Sequence, residues 1–132
     1  MLHTREIPRE VWSDYLTLVS AIEKDHRVRV QADGPDFGEQ TVAASLPLVD
    51  IYVEEKGSNE GSIEVTVGRP GREITHRILR PLRVYTAESD SGDIECLDIE
   101  DEDHVKTLIF FEPQMVEEIL PQRSQAQSPS PA

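Results

Sequence analysis

Four histidines, one cysteine, a run of carboxylates and a cluster of arginines are the side chains here that could do chemistry. The histidines are His3, His26, His76 and His104, and no two stand at a metal-binding separation such as i, i+4 on a helix. His76 has Ile74 and Ile78 as same-face neighbours in a strand-like stretch. It is either a hydrogen-bonded core histidine or a group lining a pocket together with Arg77. The core reading is preferred, because half-buried imidazoles usually find a polar partner. His104 follows Asp101-Glu-Asp103, whose carboxylates favour its protonated form, and is expected to be a solvated loop residue.

Residues 88–103 contain nine acids (Glu88, Asp90, Asp93, Glu95, Asp98, Glu100, Asp101, Glu102, Asp103) and neither Lys nor Arg. Clustered oxygens suit hard cations. The spacing is not that of a calcium loop, because Asp90-Ser-Gly-Asp93 brings its glycine too early and lacks the distal glutamate. A solvated, self-repelling edge is the expectation, with a small enzyme or metal binder using His76 or this segment as the competing reading. Upstream, Arg69, Arg72, Arg77, Arg80 and Arg83 face them in sequence with the opposite sign. Pairing across neighbouring strands is the simplest use of the two segments. An anion site, or docking between copies, is the alternative.

Cys96 stands beside Glu95 and Asp98, an electronegative setting that suppresses the thiolate. No Gly-x-Ser-x-Gly elbow occurs, and Gly68-Arg-Pro-Gly71 is neither a phosphate loop nor a dinucleotide fingerprint. The residues therefore nominate no catalytic group, no cofactor site and no metal ligand.

Strand periodicity dominates the chain that must position these groups. Pro8 starts a helix whose apolar face is Val11, Trp12, Tyr15, Leu16, Leu18, Val19 and Ile22, with Ser13, Thr17 and Ser20 on the polar side. Strand-like segments follow at 27–32, 40–45, 48–54, 62–67, 73–78, 82–86 and 95–100, separated by glycine, proline and aspartate turns. The last, Val105–Phe111, is apolar on both faces from Leu108 onward. It reads as the central strand, covered by the helix on one face and by curling of the sheet on the other. Short strands with tight turns and no intervening helix mean antiparallel pairing. The expected fold is α+β: an N-terminal amphipathic helix packed on a strongly bent, mainly antiparallel sheet or partly open barrel of seven to eight strands. Residues 1–120 form one domain in this reading, ending in two helical turns over Gln114–Leu120. Residues 121–132, rich in Ser, Pro and Gln, read as a disordered tail.

Four stretches carry a resemblance: Thr4-Arg-Glu-Ile-Pro-Arg-Glu-Val-Trp12, Leu46-Pro-Leu48, Thr75-His-Arg-Ile78 with Pro81 beyond it, and Thr107-Leu-Ile-Phe110. Together they resemble a family of small bacterial proteins known only as a domain of unknown function. The resemblance implies no activity, cofactor or site residue.

The totals bound what such a domain can do. In 132 residues there are 26 acids and 13 bases, a net charge of −13. Such a surface repels nucleic acid and anionic lipid, so neither is an expected partner. One cysteine fits a reducing compartment, the first residues lack the apolar run of a signal peptide, and no long apolar stretch occurs, so the cytoplasm is expected. The leading expectation is an acidic binding or interaction module without catalytic activity, taking a protein partner or small ligand. A nucleic-acid mimic that inhibits a basic protein is a further alternative. A homodimer is expected if an edge such as Gln40–Ser45 is left unprotected.

Overall fold

Pro8 separates the first strand from the helix. Strand β1 (His3–Ile7) precedes it and a 3-10 turn (Arg9–Val11) leads into α1 (Trp12–Ile22). The computed structural model describes residues 1–113; Gln114–Leu120 and the 121–132 tail lie outside them. β1 was not expected from sequence. Its side chains are polar and exposed up to Ile7, so it shows no apolar alternation to read.

The helix buries a narrower stripe than its composition suggests. Trp12, Leu16, Val19 and Ser20 are buried, whereas Val11, Leu18 and Ile22 are exposed. Ser20, expected on the polar side, instead faces the sheet. Its hydroxyl accepts from the Ile51 N–H at 2.8 Å and donates to the Ile51 carbonyl at 2.6 Å. One side chain thereby satisfies both backbone groups of a strand residue that has no strand neighbour on that side. Ser20→Ala leaves both groups buried and unpaired, and costs about 1–3 kcal/mol in denaturant unfolding; a cost below about 0.5 kcal/mol, ordinary for a surface change, contradicts the bridging role.

Seven further strands follow: β2 (Arg27–Gly34), β3 (Gly38–Val53), β4 (Ile63–Val67), β5 (Ile74–Ile78), β6 (Pro81–Glu88), β7 (Ile94–Asp101) and β8 (Lys106–Phe111). They form one sheet in the order β1-β6-β7-β8-β2-β3-β4-β5, every pair antiparallel. β1 and β5 end the sheet and do not pair with each other, so it curls without closing.

The segments expected at 40–45 and 48–54 are one strand, β3, running through Pro47. Pro47 is tolerated because its nitrogen faces the side where β4 has already given way to its turn, the side on which its carbonyl accepts from the Gly68 N–H at 2.9 Å. The first half of β3 pairs with β2 and the second half with β4. The β4–β5 hairpin turns at Gly68, whose φ is +126° and where a Cβ would lie 2.6 Å from the Arg72 carbonyl oxygen. Only glycine fits there.

One face of the sheet is interior. Val84, Leu97, Ile99, Ile109, Phe111, Val28 and Val30 pack with Trp12, Leu16 and Val19 of α1 and with Ile63, Val65, Val67 and Ile78 of the curled-over hairpin. Helix and curl thus cover the same face. The expectation that β8 is covered on both faces is corrected accordingly. Thr107, Ile109 and Phe111 are buried, but Leu108 and Phe110 are only half-buried on the outer face. Their apolar character is met by neighbours in the sheet, with the Arg29 guanidinium 4.1 Å from the Phe110 ring centroid.

Candidate functional site

The acidic segment does not converge on one point. Glu88 meets Arg5 at 3.3 Å, Asp90 meets His3 at 2.7 Å, and Glu102 meets Arg80 at 3.1 Å. Asp101 is spent on its own turn, its Oδ1 accepting from the N–H groups of Asp103 and Val105. Glu100 faces His104 at 3.6 Å, and the His104 side chain is exposed. Among the described residues, no three His, Cys, Asp or Glu groups are placed to hold a metal ion.

The arginines pair more widely than expected. Arg80 does reach the acidic segment, but Arg83 pairs with Glu6 and Arg77 with Glu64. Arg69 and Arg72 enter no ion pair among the described residues.

Glu64 is the buried acid that sequence did not single out, at 5% exposure. Cross-strand register aligns Tyr52, Glu64 and Arg77 on the outer face of β3, β4 and β5. Arg77 Nε donates to one carboxylate oxygen at 2.9 Å and the Tyr52 hydroxyl to the other at 3.1 Å. The Arg77 hydrogen bond holds the Glu64 carboxyl below its ordinary value. A lowered native pKa contributes stability that is full above the unfolded value, about 4.3, and is lost as pH falls through the native one. Glu64→Gln should therefore flatten the acid limb of the melting-temperature profile; an unchanged limb contradicts this pairing.

His76 is half-buried on the inner face, with Nε2 3.4 Å from the Thr107 hydroxyl. Burial pushes its imidazole down, towards the neutral form. No carboxylate or nucleophile is bonded to it among the described residues. His26 bonds Glu23 through Nδ1 and the Glu112 carbonyl through Nε2, beside the Phe111 ring.

A different constellation lies on the open outer face. Register places Tyr85, Asp98, Leu108 and Gln31 in one row across β6, β7, β8 and β2. The next row is Thr4, Ala87, Cys96, Phe110 and Arg29. Small side chains at Thr4, Ala87 and Cys96, walled by Tyr85 and Leu108, leave a groove of about 390 Å³. Glu100 and Lys106 close its far end.

Asp98 lies along this groove and is poorly served. Its Oδ1 is sealed from solvent without any hydrogen-bond donor, and its Oδ2 is 4.0 Å from Lys106 Nζ. Burial raises its carboxyl above the ordinary range, with Lys106 opposing and Glu100 adding to the shift. Cys96 next to it is pushed up to about 11, by burial first and the Asp98 charge second. Its thiolate is scarce at neutral pH, so the groove holds no activated nucleophile. Sequence set Asp98 apart among nine acids only as a neighbour of Cys96 and as sharing a strand face with Glu100 and Glu102. The β6–β7–β8 register, which puts it between Tyr85 and Leu108, is the signal that separates it.

These features define an α+β protein with one helix packed on an open, strongly curled antiparallel sheet whose outer face carries a half-buried acid. The chain belongs to the family of unknown function DUF5335, which it matches over residues 3–119. No curated protein and no solved structure matches it. Among the described residues no helix is long and apolar enough to cross a membrane.

Proposed function

We propose that this protein is a cytoplasmic, non-catalytic binding module that holds a positively charged group on an apolar stem against Asp98. The observation that carries the reading is the Asp98 Oδ1, an acceptor withdrawn from water with no donor. Leaving such a group unpaired costs about 1–3 kcal/mol, more when it is charged. Native folds retain few of them. An ammonium or guanidinium in the groove would compensate the buried carboxylate charge. The side chains around Asp98 match a stem: Tyr85, Ala87 and Leu108 offer carbon surface, and Glu100 adds negative potential.

A lysine or arginine side chain of a protein partner and a free alkylamine share this chemistry. The enzyme alternative draws little from the geometry, because among the described residues His76 has Thr107 as its only hydrogen-bond partner and Cys96 is held as the thiol.

Titration followed by amide NMR shifts tests the reading, with N-acetyl-lysine methyl ester, agmatine and the uncharged norleucine analogue as probes. Saturable shifts at Ala87, Cys96, Asp98 and Leu108 with the charged probes, and none with norleucine, are expected. Equal response to all three, or none at millimolar concentration, contradicts the proposal. A calorimetric titration with divalent cations belongs in the same experiment, since tight stoichiometric binding would favour a metal site instead.

A further inference from the structure

Three observations meet at β5, the last strand of the sheet. Its outer edge has no strand beside it and no backbone hydrogen bond from any described residue. Ile74 on this strand and Leu79 just after it are 45% and 46% exposed. Arg69 and Arg72, in the turn leading into it, are exposed and make no ion pair among the described residues. In a chain of net charge −13 that is an unusual concentration of uncommitted positive charge.

We infer that an extended, acidic strand of a partner protein adds to the sheet at β5. An open edge supplies a row of unpaired N–H and C=O groups, and a partner strand satisfies them while its alternate side chains set specificity. Alternation along such a strand places apolar residues beside Ile74 and Ile78 on one face. It places carboxylates beside Arg77 on the other, while Arg69 and Arg72 stand in the turn at the strand's start. Arg77 does not guard the edge, because its guanidinium is drawn back across the sheet to Glu64.

Other open stretches are less suited. The β1 edge has His3 and Arg5 tied to Asp90 and Glu88. The unpaired flank of β3 lies where its register with β2 shifts twice, and bulges of that kind turn an edge away from pairing. β5 pairs with β4 without any register shift, so its edge is regular. A second copy pairing through its own β5 is disfavoured as the occupant, since that strand brings positive charge, Arg77 with Arg69 and Arg72 at its start, where this edge calls for carboxylates.

A blocked peptide of alternating glutamate and valine, long enough to span β5, is the probe. Added to the labelled full chain, it should shift the amides of residues 74–80 and slow their hydrogen exchange. Arg69→Glu combined with Arg72→Glu should weaken this at least about tenfold. Both substitutions lie on an exposed turn, and unchanged circular dichroism confirms that the fold is kept. The lysine–valine peptide should leave the spectrum unchanged. Shifts centred on β1 or β3, an equal response to the lysine peptide, or no response to the glutamate peptide would each overturn the assignment. So would protection of the same amides by self-association without any peptide.

Discussion

Asp98→Asn should raise unfolding free energy by about 1 kcal/mol while weakening capture of a cationic probe at least tenfold. The two effects have one cause. Burial and the Glu100 charge disfavour the Asp98 carboxylate in the folded chain, and Lys106 at 4.0 Å only partly compensates. Amide replaces charge without changing shape, so the desolvation cost goes and the counter-charge for a ligand goes with it. Binding residues carry stability costs of this kind. The pH dependence follows from the raised native pKa. Above it, wild type bears the full penalty of the buried charge and the variant its full advantage. As pH falls through it, wild type becomes neutral too and the advantage fades. Denaturant unfolding at neutral pH and below the ordinary aspartate range checks both limbs. Destabilisation of about 1 kcal/mol or more at neutral pH would mean that Asp98 serves the fold instead.

Leu16→Ala should cost about 2–5 kcal/mol, a large share of the roughly 5–15 kcal/mol that holds a domain together. Leu16 is fully buried in the core shared by the helix, the curled hairpin and the main sheet. Leu18→Ala and Ile22→Ala, on the same helix, should stay within about 0.5 kcal/mol, because those side chains are 55% and 67% exposed. Melting temperatures of the three variants measure this contrast directly. Similar losses at all three positions would mean that the helix buries the wide stripe its composition suggests.

That contrast also marks what the sequence could reveal. Helical spacing located α1 but gave Leu16, Leu18 and Ile22 equal weight, because a 3.6-residue period fixes a direction and not the width of the covered surface. Alternation and turn residues located the β4–β5 and β7–β8 hairpins with their inward residues, including Leu97 and Ile99. β1 escaped because His3, Thr4, Arg5 and Glu6 are all exposed and only register to β6 makes them a strand. Pro47 looked like a break because a missing N–H matters only where a neighbouring strand needs it. Ser20 looked like surface because a hydroxyl bridging two backbone groups has the same sequence signature as a solvated one.

The site was the least legible part. Asp98 differs from the other acids of residues 88–103 only through its cross-strand neighbours Tyr85 and Leu108. Strand pairing between residues ten and thirteen positions apart decides that, and a linear charge pattern cannot. The same limit misdirected the arginines. Proximity in sequence suggested pairing with the acidic run, whereas the β4–β5 register gave Arg77 to Glu64 and the β1–β6 pairing gave Arg83 to Glu6. The expected helical turns over Gln114–Leu120 lie outside the described residues.

The most direct test is a carbon-detected NMR titration of the Asp98 side-chain carboxyl, without ligand and then with agmatine at saturation. The expected midpoint is clearly above the ordinary aspartate value of about 3.9 in the free protein and moves down when the guanidinium occupies the groove. A midpoint at or below the ordinary value, unmoved by agmatine, would contradict the proposal.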